Sequence, residues 1–417
     1  MTGTSAEKGG GTGRYRVLLA QGTAYNTGLQ LANVSVVLPF IAAEYNLLWV
    51  AGLLYAAYSV GIVLGNSLSP YVLHRAQHDK HVLIAGSTAI MAAFILVSGL
   101  SARSGYLVAG VFLTASLVVG TVSGISKVAF SEVVSSKLTE TAGRDLVLAQ
   151  GALGAVAAIL TTLLLVPYLA QRDPQNSQLD LLWLGASCFI AAAVLAMFVG
   201  RVPTGVRHDV VTFGDTYREG WAAARSQSWF RHYAAIMVLF VPVSLGTSFY
   251  SVHASINHAG SAGSLHVLVI SSSTGLVVGA VFWRMVSRLG VRAMLAISAL
   301  LGATAALICV VIEYRREWNH VWIYAIVFVL AAVASQAVFT AGLAWVNAHA
   351  TDRHRSTLIG FGALLIAIES SLLGTALGAL AQRAAIIGPL LALLALNLAA
   401  AVAAVLLAPK RDRVHGQ

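Results

Sequence analysis

"RDLVLAQGALGAVAAILTTLLLVPYLAQR" at residues 144–172 and "RSTLIGFGALLIAIESSLLGTALGALAQR" at residues 355–383 are two versions of one segment. Each opens on Arg, places Gly-Ala-Leu seven residues later and closes on Leu-Ala-Gln-Arg. Arg144 answers to Arg355 and Arg172 to Arg383, an offset of 211 at both ends with no gap. Between the arginines each copy is an apolar run long enough to cross the roughly 30 Å of a bilayer's hydrocarbon as a helix. A chain that repeats a membrane-length helix after about half its length is built from two similar halves.

The rest of the chain fits that reading. It is 58% hydrophobic and 10% charged, with a mean hydropathy of +0.79. A soluble domain carries about 25% charged residues, so this chain cannot cover a globule with polar surface. No stretch alternates as a membrane-barrel strand does, which leaves an all-helical integral membrane protein. Twelve spans are read at 16–43, 47–72, 81–101, 105–131, 145–170, 180–200, 232–256, 264–286, 292–312, 320–346, 356–381 and 385–408. The repeated segment supplies the fifth and the eleventh. Both cross in the same direction, so the halves are parallel repeats.

Net charge is +10, yet the basic residues sit in short loops between apolar runs. There they act as orientation signals, and nucleic acid is not an expected partner. One set of loops holds most of them, from Arg14 and Arg75 to Arg353 and Lys410. The other holds only Arg103, Arg172, Arg315, Arg316 and Arg383. The richer side is the cytoplasmic one, so both termini are expected there, in a cell membrane (plasma or inner). Residues 1–13 read as a disordered tail, 14–200 as the first six-helix bundle and 201–231 as a cytoplasmic linker. The second bundle runs over 232–408, and 409–417 form a second tail. Within the linker, Phe213, Tyr217, Trp221 and Ala224 recur at helical spacing, as in a helix lying on the membrane surface. Cys188 and Cys309 both lie in apolar runs and read as packing residues.

With twelve spans, cytoplasmic termini, a central loop and a six-helix repeat, the chain resembles the major facilitator superfamily. That family carries the loop motif Gly-x-Leu-Ala-Asp-Arg-x-Gly-Arg-Arg. After span eight, "WRMVSRLGVRAML" (283–295) offers Arg284, Arg288, Gly290, Arg292 and Leu295 to it, with Trp283 in place of Gly and Ser287 in place of Asp. After span two, "PYVLHRAQHDKHVL" (70–83) keeps Arg75 and Lys80, and His74 replaces the Asp. The resemblance implies two pseudo-symmetric six-helix bundles, a cavity lined by spans 1, 4, 7 and 10, and alternating access. It also implies gating at the cytoplasmic loops, where Glu132, Arg144 and Arg355 are further candidates.

Polar stripes mark the same helices independently, because a polar side chain in lipid must find a partner or water. Span one has Asn26, Gln30 and Asn33; span four has Ser116 and Ser123; span seven has Ser244, Ser248 and Ser251; span ten has Gln336 and Thr340. Tyr55 and Tyr58 of span two add to the wall. Either these residues line a substrate cavity or they bond helix to helix, as Ser and Thr do in membranes.

Glu369 stands alone in "ALLIAIESSLLGTALG" (363–378). It is 14 residues, about 21 Å of helix, from both Arg355 and Arg383. An acid at that depth costs about 2.5–3.5 kcal/mol on insertion scales. Its counterpart at the 211 offset is Ala158, so the scaffold does not require it. A carboxyl that is neutral in one state and charged in another can couple proton movement to a change of shape. The alternative is a permanently protonated packing residue.

No P-loop, HExxH, Cys/His metal cluster or GxSxG on a strand-turn-helix is present, so neither an enzyme, a cofactor nor a bound metal is expected. The expected activity is secondary transport of a small neutral, weakly cationic or amphipathic solute. Glu369 is the candidate for proton coupling, export the favoured direction and a monomer the working unit. Ser116 stands where proton-coupled exporters of the family carry an Arg four residues before a Gly, and span five lacks their Gly-Pro pair. Proton-driven import is therefore kept as an alternative. A non-transporting receptor or assembly partner is a third reading, drawn from the degenerate first loop motif.

Overall fold

A computed structural model describes residues 7–407 except 77, 106, 139, 171–178, 202–217, 219–220, 223, 259–262, 350–351 and 385. Fourteen helices carry the described chain, and no strand appears among the described residues. The first half contains α1 (Glu7–Leu31), α2 (Val37–Glu44), α3 (Leu48–Ala76), α4 (Lys80–Ser104), α5 (Val108–Lys137), α6 (Glu140–Ala170) and α7 (Asp180–Met197). The second contains α8 (Ser228–Leu239), α9 (Val241–His258), α10 (Ser264–Val286), α11 (Val291–Tyr314), α12 (Val321–His349), α13 (Asp352–Ala384) and α14 (Ile387–Leu407). Eleven stretches, with α8 and α9 counted as one, are long and apolar enough to cross a membrane.

The twelfth crossing is the first span, which is broken. Its helix stops at Leu31 and resumes as α2 at Val37. Asn33 explains the break. Its side-chain oxygen accepts the Ser35 amide at 2.8 Å, and its backbone carbonyl accepts the Val36 and Val37 amides. An Asn that bonds its own backbone offers the chain an alternative to helix. At the other end, α1 begins at Glu7 and so runs through residues 7–13, where a disordered tail was expected. Extending a formed helix adds a bond per residue without a new nucleus. Of the surface helix expected in the linker, Phe213 and Tyr217 lie outside the described residues. Trp221 is helical and rests on Phe361 with ring centroids 6.0 Å apart. The tail 409–417 also lies outside them.

The two halves repeat their packing. In the first, α1 packs on α6 and α7, α3 on α5, and α4 on α5 and α7. In the second, α8–α9 packs on α13 and α14, α10 on α12, and α11 on α12 and α14. These are the same pairs, six spans on. The tightest seam joins α3 to α5, where Gly61 and Gly65 face Gly120 and Gly124. A Cβ on Gly120 would lie 2.1 Å from the Tyr58 carbonyl. Helices in lipid gain contact by such close approach, since burial from lipid gives little.

The apolar core is layered. One cluster of buried residues runs through both halves: Val36–Ala43, Val50 and Leu54 meet Val241, Leu245, Phe249, Leu377 and Ala381. All lie toward the face opposite residues 7 and 407, here called the far face. Toward the near face the core divides. Leu18, Leu73, Ala129, Val133 and Leu146 belong to the first half alone. Phe230, Trp283, Leu295, Trp345 and Leu358 belong to the second. The halves share a core at the far face and keep separate cores at the near face.

Candidate functional site

Three seams join the halves, α3 on α13, α9 on α2 and α6 on α10. In the first, α3 crosses α13 at glycines. A Cβ on Gly52 would lie 2.7 Å from the Gly374 carbonyl, and one on Gly378 would lie 3.3 Å from the Trp49 backbone. Gly374 and Gly378, four residues apart, are thus a contact between the halves. In the second, α9 crosses α2. The Ser251 hydroxyl donates to the Val36 carbonyl at 2.5 Å, and the Ser255 hydroxyl donates to the Phe40 carbonyl at 2.9 Å. The serine stripe of span seven therefore bonds one half to the other.

Beneath this seal, hydroxyl groups from four spans converge. Tyr25 of α1 and Ser123 of α5 share a hydrogen bond of 3.0 Å. Tyr58 of α3 is an electrostatic neighbour of Tyr25 and Tyr55. Tyr55 lies within hydrogen-bond reach of Ser59 and, across the halves, of Ser244 in α9. Thr23, Gln30, Ser116 and Ser248 each hold an enclosed oxygen with no hydrogen-bond partner among the described residues. An enclosed polar atom without a partner is costly. Each is a place that water or a polar solute would satisfy.

Other expected site residues are placed differently. Asn26 donates to Gly22 O at 2.8 Å and presses on Gly154 of α6. Asn33 makes the break. Ser116 is fully buried in α5. Gln336 lies over Gly279 of α10 with its Oε1 enclosed and without a partner among the described residues. Thr340 is exposed and bonds back to Gln336 O. Glu369 is half-buried, with Oε2 enclosed and without a partner among the described residues. The register of α3 against α13 pairs Trp49 with Gly378 and Gly52 with Gly374. Glu369 lies five residues further toward the near face, about 7.5 Å along the helix.

At the near face, Lys80 pairs with Glu132, joining the start of the third span to the end of the fourth. Asp79 pairs with Arg201 at 3.1 Å, so an acid five residues beyond His74 supplies a pairing the motif lacks. Neither pair reaches the second six-helix bundle. Arg75, Arg284 and Arg288 are exposed and Arg292 is half-buried. Gly290 has φ +94°, a backbone that favours glycine, and starts α11. The side chains of Arg144 and Arg355 lie outside the described residues. Tyr25 and Asp79 escaped the sequence reading. Tyr25 adjoins the amide stripe, and its spacing to Tyr55 and Tyr58 gives no sign that they meet.

A scan against protein-family models finds no match. The uncharacterized protein Rv2209 of Mycobacterium tuberculosis (strain ATCC 25618 / H37Rv) is 46% identical over 400 residues, covering 94% of this chain and 77% of the relative. The uncharacterized protein Mb2232 of Mycobacterium bovis matches to the same extent. Among solved structures, nucleoside transporter NupG superposes with a TM-score of 0.72 at 10% identity, covering 94% of this chain and 98% of that one. The D-xylose-proton symporter gives 0.66 at 15% identity, covering 95% and 98%. A bacterial homolog of the human lysosomal transporter Spinster, inward-facing and unoccupied, gives 0.57 at 15%, covering 95% of each. The repeated packing and these superpositions agree on two parallel six-helix bundles. The chain belongs to one family with the mycobacterial protein Rv2209, and its fold is that of the major facilitator superfamily.

Proposed function

We propose that this chain is a secondary transporter that moves a small, largely neutral solute by alternating access. The observation that carries the reading is the layered core: the halves share one core at the far face and have separate cores at the near face. A polar cluster lies beneath the shared layer. Two rigid bundles that rock about such a site expose it to one side at a time. With the near face cytoplasmic, as the loop charges imply, the present arrangement is inward-open.

The cluster sets the substrate class. Phenols, serines and amides (Tyr25, Tyr55, Tyr58, Ser123, Ser244 and Gln30) supply neutral donors and acceptors. Such a set recognises hydroxyl- or amide-bearing solutes and offers no counter-charge to a multiply anionic one. Ser248, Gln336 and Glu369 would complete the lining, with Glu369 carrying the proton. Export was the direction favoured by the sequence. The xylose neighbour is a proton symporter by name, and symport is the coupling we take as the first to test.

The test is reconstitution in proteoliposomes with an imposed pH gradient and a panel of radiolabelled nucleosides, sugars and dipeptides. One class is expected to accumulate with the gradient, and Glu369→Gln to exchange solute without accumulating it. Failure of every panel member to move in either direction would oppose transport. Undiminished accumulation in Glu369→Gln would oppose its coupling role.

A further inference from the structure

We propose that a cavity at the far face is a binding site for a primary ammonium carried on a short apolar body. Its volume is ≈ 380 Å³, within the range of small-molecule sites. None of its lining residues belongs to the hydroxyl cluster between the bundles. The far ends of α3, α9, α11 and α13 meet around it. Leu48, which opens α3, is the first half's contribution to the wall. The second half supplies apolar wall at Ile256, Ile312, Ala381 and Ile386, and three polar side chains, Asn257, Glu313 and Asn319.

The polar three bring acceptors to the cavity. Asn257 Nδ2 donates to the His253 carbonyl at 3.1 Å and to the Tyr324 hydroxyl at 3.0 Å. A carbonyl only accepts, so the amide nitrogen must face it, and both amide hydrogens are used. Asn257 keeps its Oδ1 as an acceptor. Since Asn257 donates to the Tyr324 oxygen, the phenol gives its own hydrogen to Nδ1 of the fully buried His253, 2.8 Å away. A neutral His253 then carries its hydrogen on Nε2 and donates it to Glu313 Oε2 at 3.1 Å. This directed series ends on a carboxylate that keeps 30% of its side chain exposed and has no Lys or Arg partner among the described residues. His258 approaches the Asn319 amide. Even so, Asn319 Oδ1 is enclosed and makes no hydrogen bond of good geometry among the described residues.

Two amide oxygens and one carboxylate therefore border a single cavity. Their complement is a positive group with several donors. An ammonium has three donors and no acceptor, and the apolar wall takes up the carbon chain that carries it. It would also satisfy the enclosed Asn319 oxygen, which is costly to leave unbonded. A neutral alcohol brings one donor and no charge, and a quaternary ammonium brings charge and no donor. Calcium and magnesium ask for six or more oxygens, and no group of three His, Cys, Asp or Glu that could hold a metal occurs among the described residues. Other charges stand near on the adjoining chain: Arg315, Arg316 and Glu317 follow α11, Arg383 is near the end of α13 and Glu44 ends α2. Arg315, Glu317 and Arg383 are exposed, so water and salt screen them. Glu313 is the charge that lines the cavity itself.

The inference takes nothing from the transport reading, so its test uses no transported solute. Full-length protein in nanodiscs is titrated with n-butylammonium, and binding is read on the probe by saturation-transfer NMR against empty nanodiscs. n-Butanol and tetramethylammonium are run beside it at matched ionic strength. Butylammonium is expected to bind saturably, and the two controls at least about tenfold more weakly. Glu313→Gln, which keeps the shape and removes the charge, is expected to raise Kd for butylammonium at least about tenfold. Glu369→Gln is expected to leave that Kd unchanged. No saturable binding, equal binding of butanol, or an unchanged Kd in Glu313→Gln overturns the proposal. So does calcium chloride that displaces the probe more strongly than sodium chloride of equal ionic strength, since the site would then suit a metal ion. Should Glu313→Gln fail to fold, an unchanged Kd in Asn319→Leu overturns it. Solute flux absent beside intact butylammonium binding would instead count against transport.

Discussion

Gly52→Ala isolates the far seal. A methyl at that position would lie 2.7 Å from the Gly374 carbonyl oxygen and 3.2 Å from both the Gly378 Cα and the Phe249 ring. Ordinary contact begins near 3.4 Å, so α3 and α13 must separate by about 0.7 Å at that point. The first obstacle is backbone, which cannot turn aside as a side chain would. Overpacking a close contact costs about 1–3 kcal/mol. The strain exists only while the halves touch, because each bundle's own seams lie elsewhere. It therefore falls on the far-closed state and shifts the equilibrium toward far-open by about 5- to 150-fold. The assay places Ser248→Cys beneath the seal, in a background lacking Cys188, and follows its reaction with a membrane-impermeant thiol reagent added at the far face. Ser248 is fully buried in the closed state, so its reaction rate reports the open fraction. Gly86→Ala is the control, since a Cβ there meets nothing within 4 Å. An unchanged rate in Gly52→Ala, or an equal increase in Gly86→Ala, would refute the reasoning.

Three further outcomes follow from the same contacts. Ser251→Ala with Ser255→Ala removes two hydrogen bonds between the halves, each worth about 0.6 kcal/mol in a membrane protein, and should raise the same labelling rate by about 5- to 10-fold. Gly120→Ala acts within the first half, where its Cβ would sit 2.1 Å from the Tyr58 carbonyl, so thermal unfolding in detergent should show a lower melting temperature whatever the state of the seal. Tyr25→Phe removes the bond to Ser123 and should weaken solute binding at least several-fold, read as a raised KM, while the melting temperature stays within a few degrees of wild type.

What could be read ahead of the structure was whatever recurs locally along the chain. The span lengths and the 211-residue repeat rest on such recurrence, and the helices follow them closely. The serine stripe was visible too. Its role was not, because a hydroxyl that donates to Val36 O looks the same in sequence as one that faces a solute. Asn33 shows the reverse error: at helical spacing it extends the Asn26–Gln30 stripe, yet its side chain bonds its own backbone and breaks the span. The His253–Glu313 pair was out of reach, since 60 residues and two turns of chain separate its members. Only the fold brings α9, α11 and α12 together there. Asp79 lies five residues beyond the position where the motif carries its acid, which His74 fills.

The alternating-access claim is tested most directly by measuring both faces in one preparation. Spin-label pairs at Ser104→Cys and Gln382→Cys report the far face, and pairs at Ser136→Cys and Arg288→Cys report the near face. The halves are taken to move as two bodies about a central site, so Gly52→Ala should lengthen the far distance and shorten the near one together. If the far distance grows while the near distance stays fixed, or neither changes, the two-body account is contradicted.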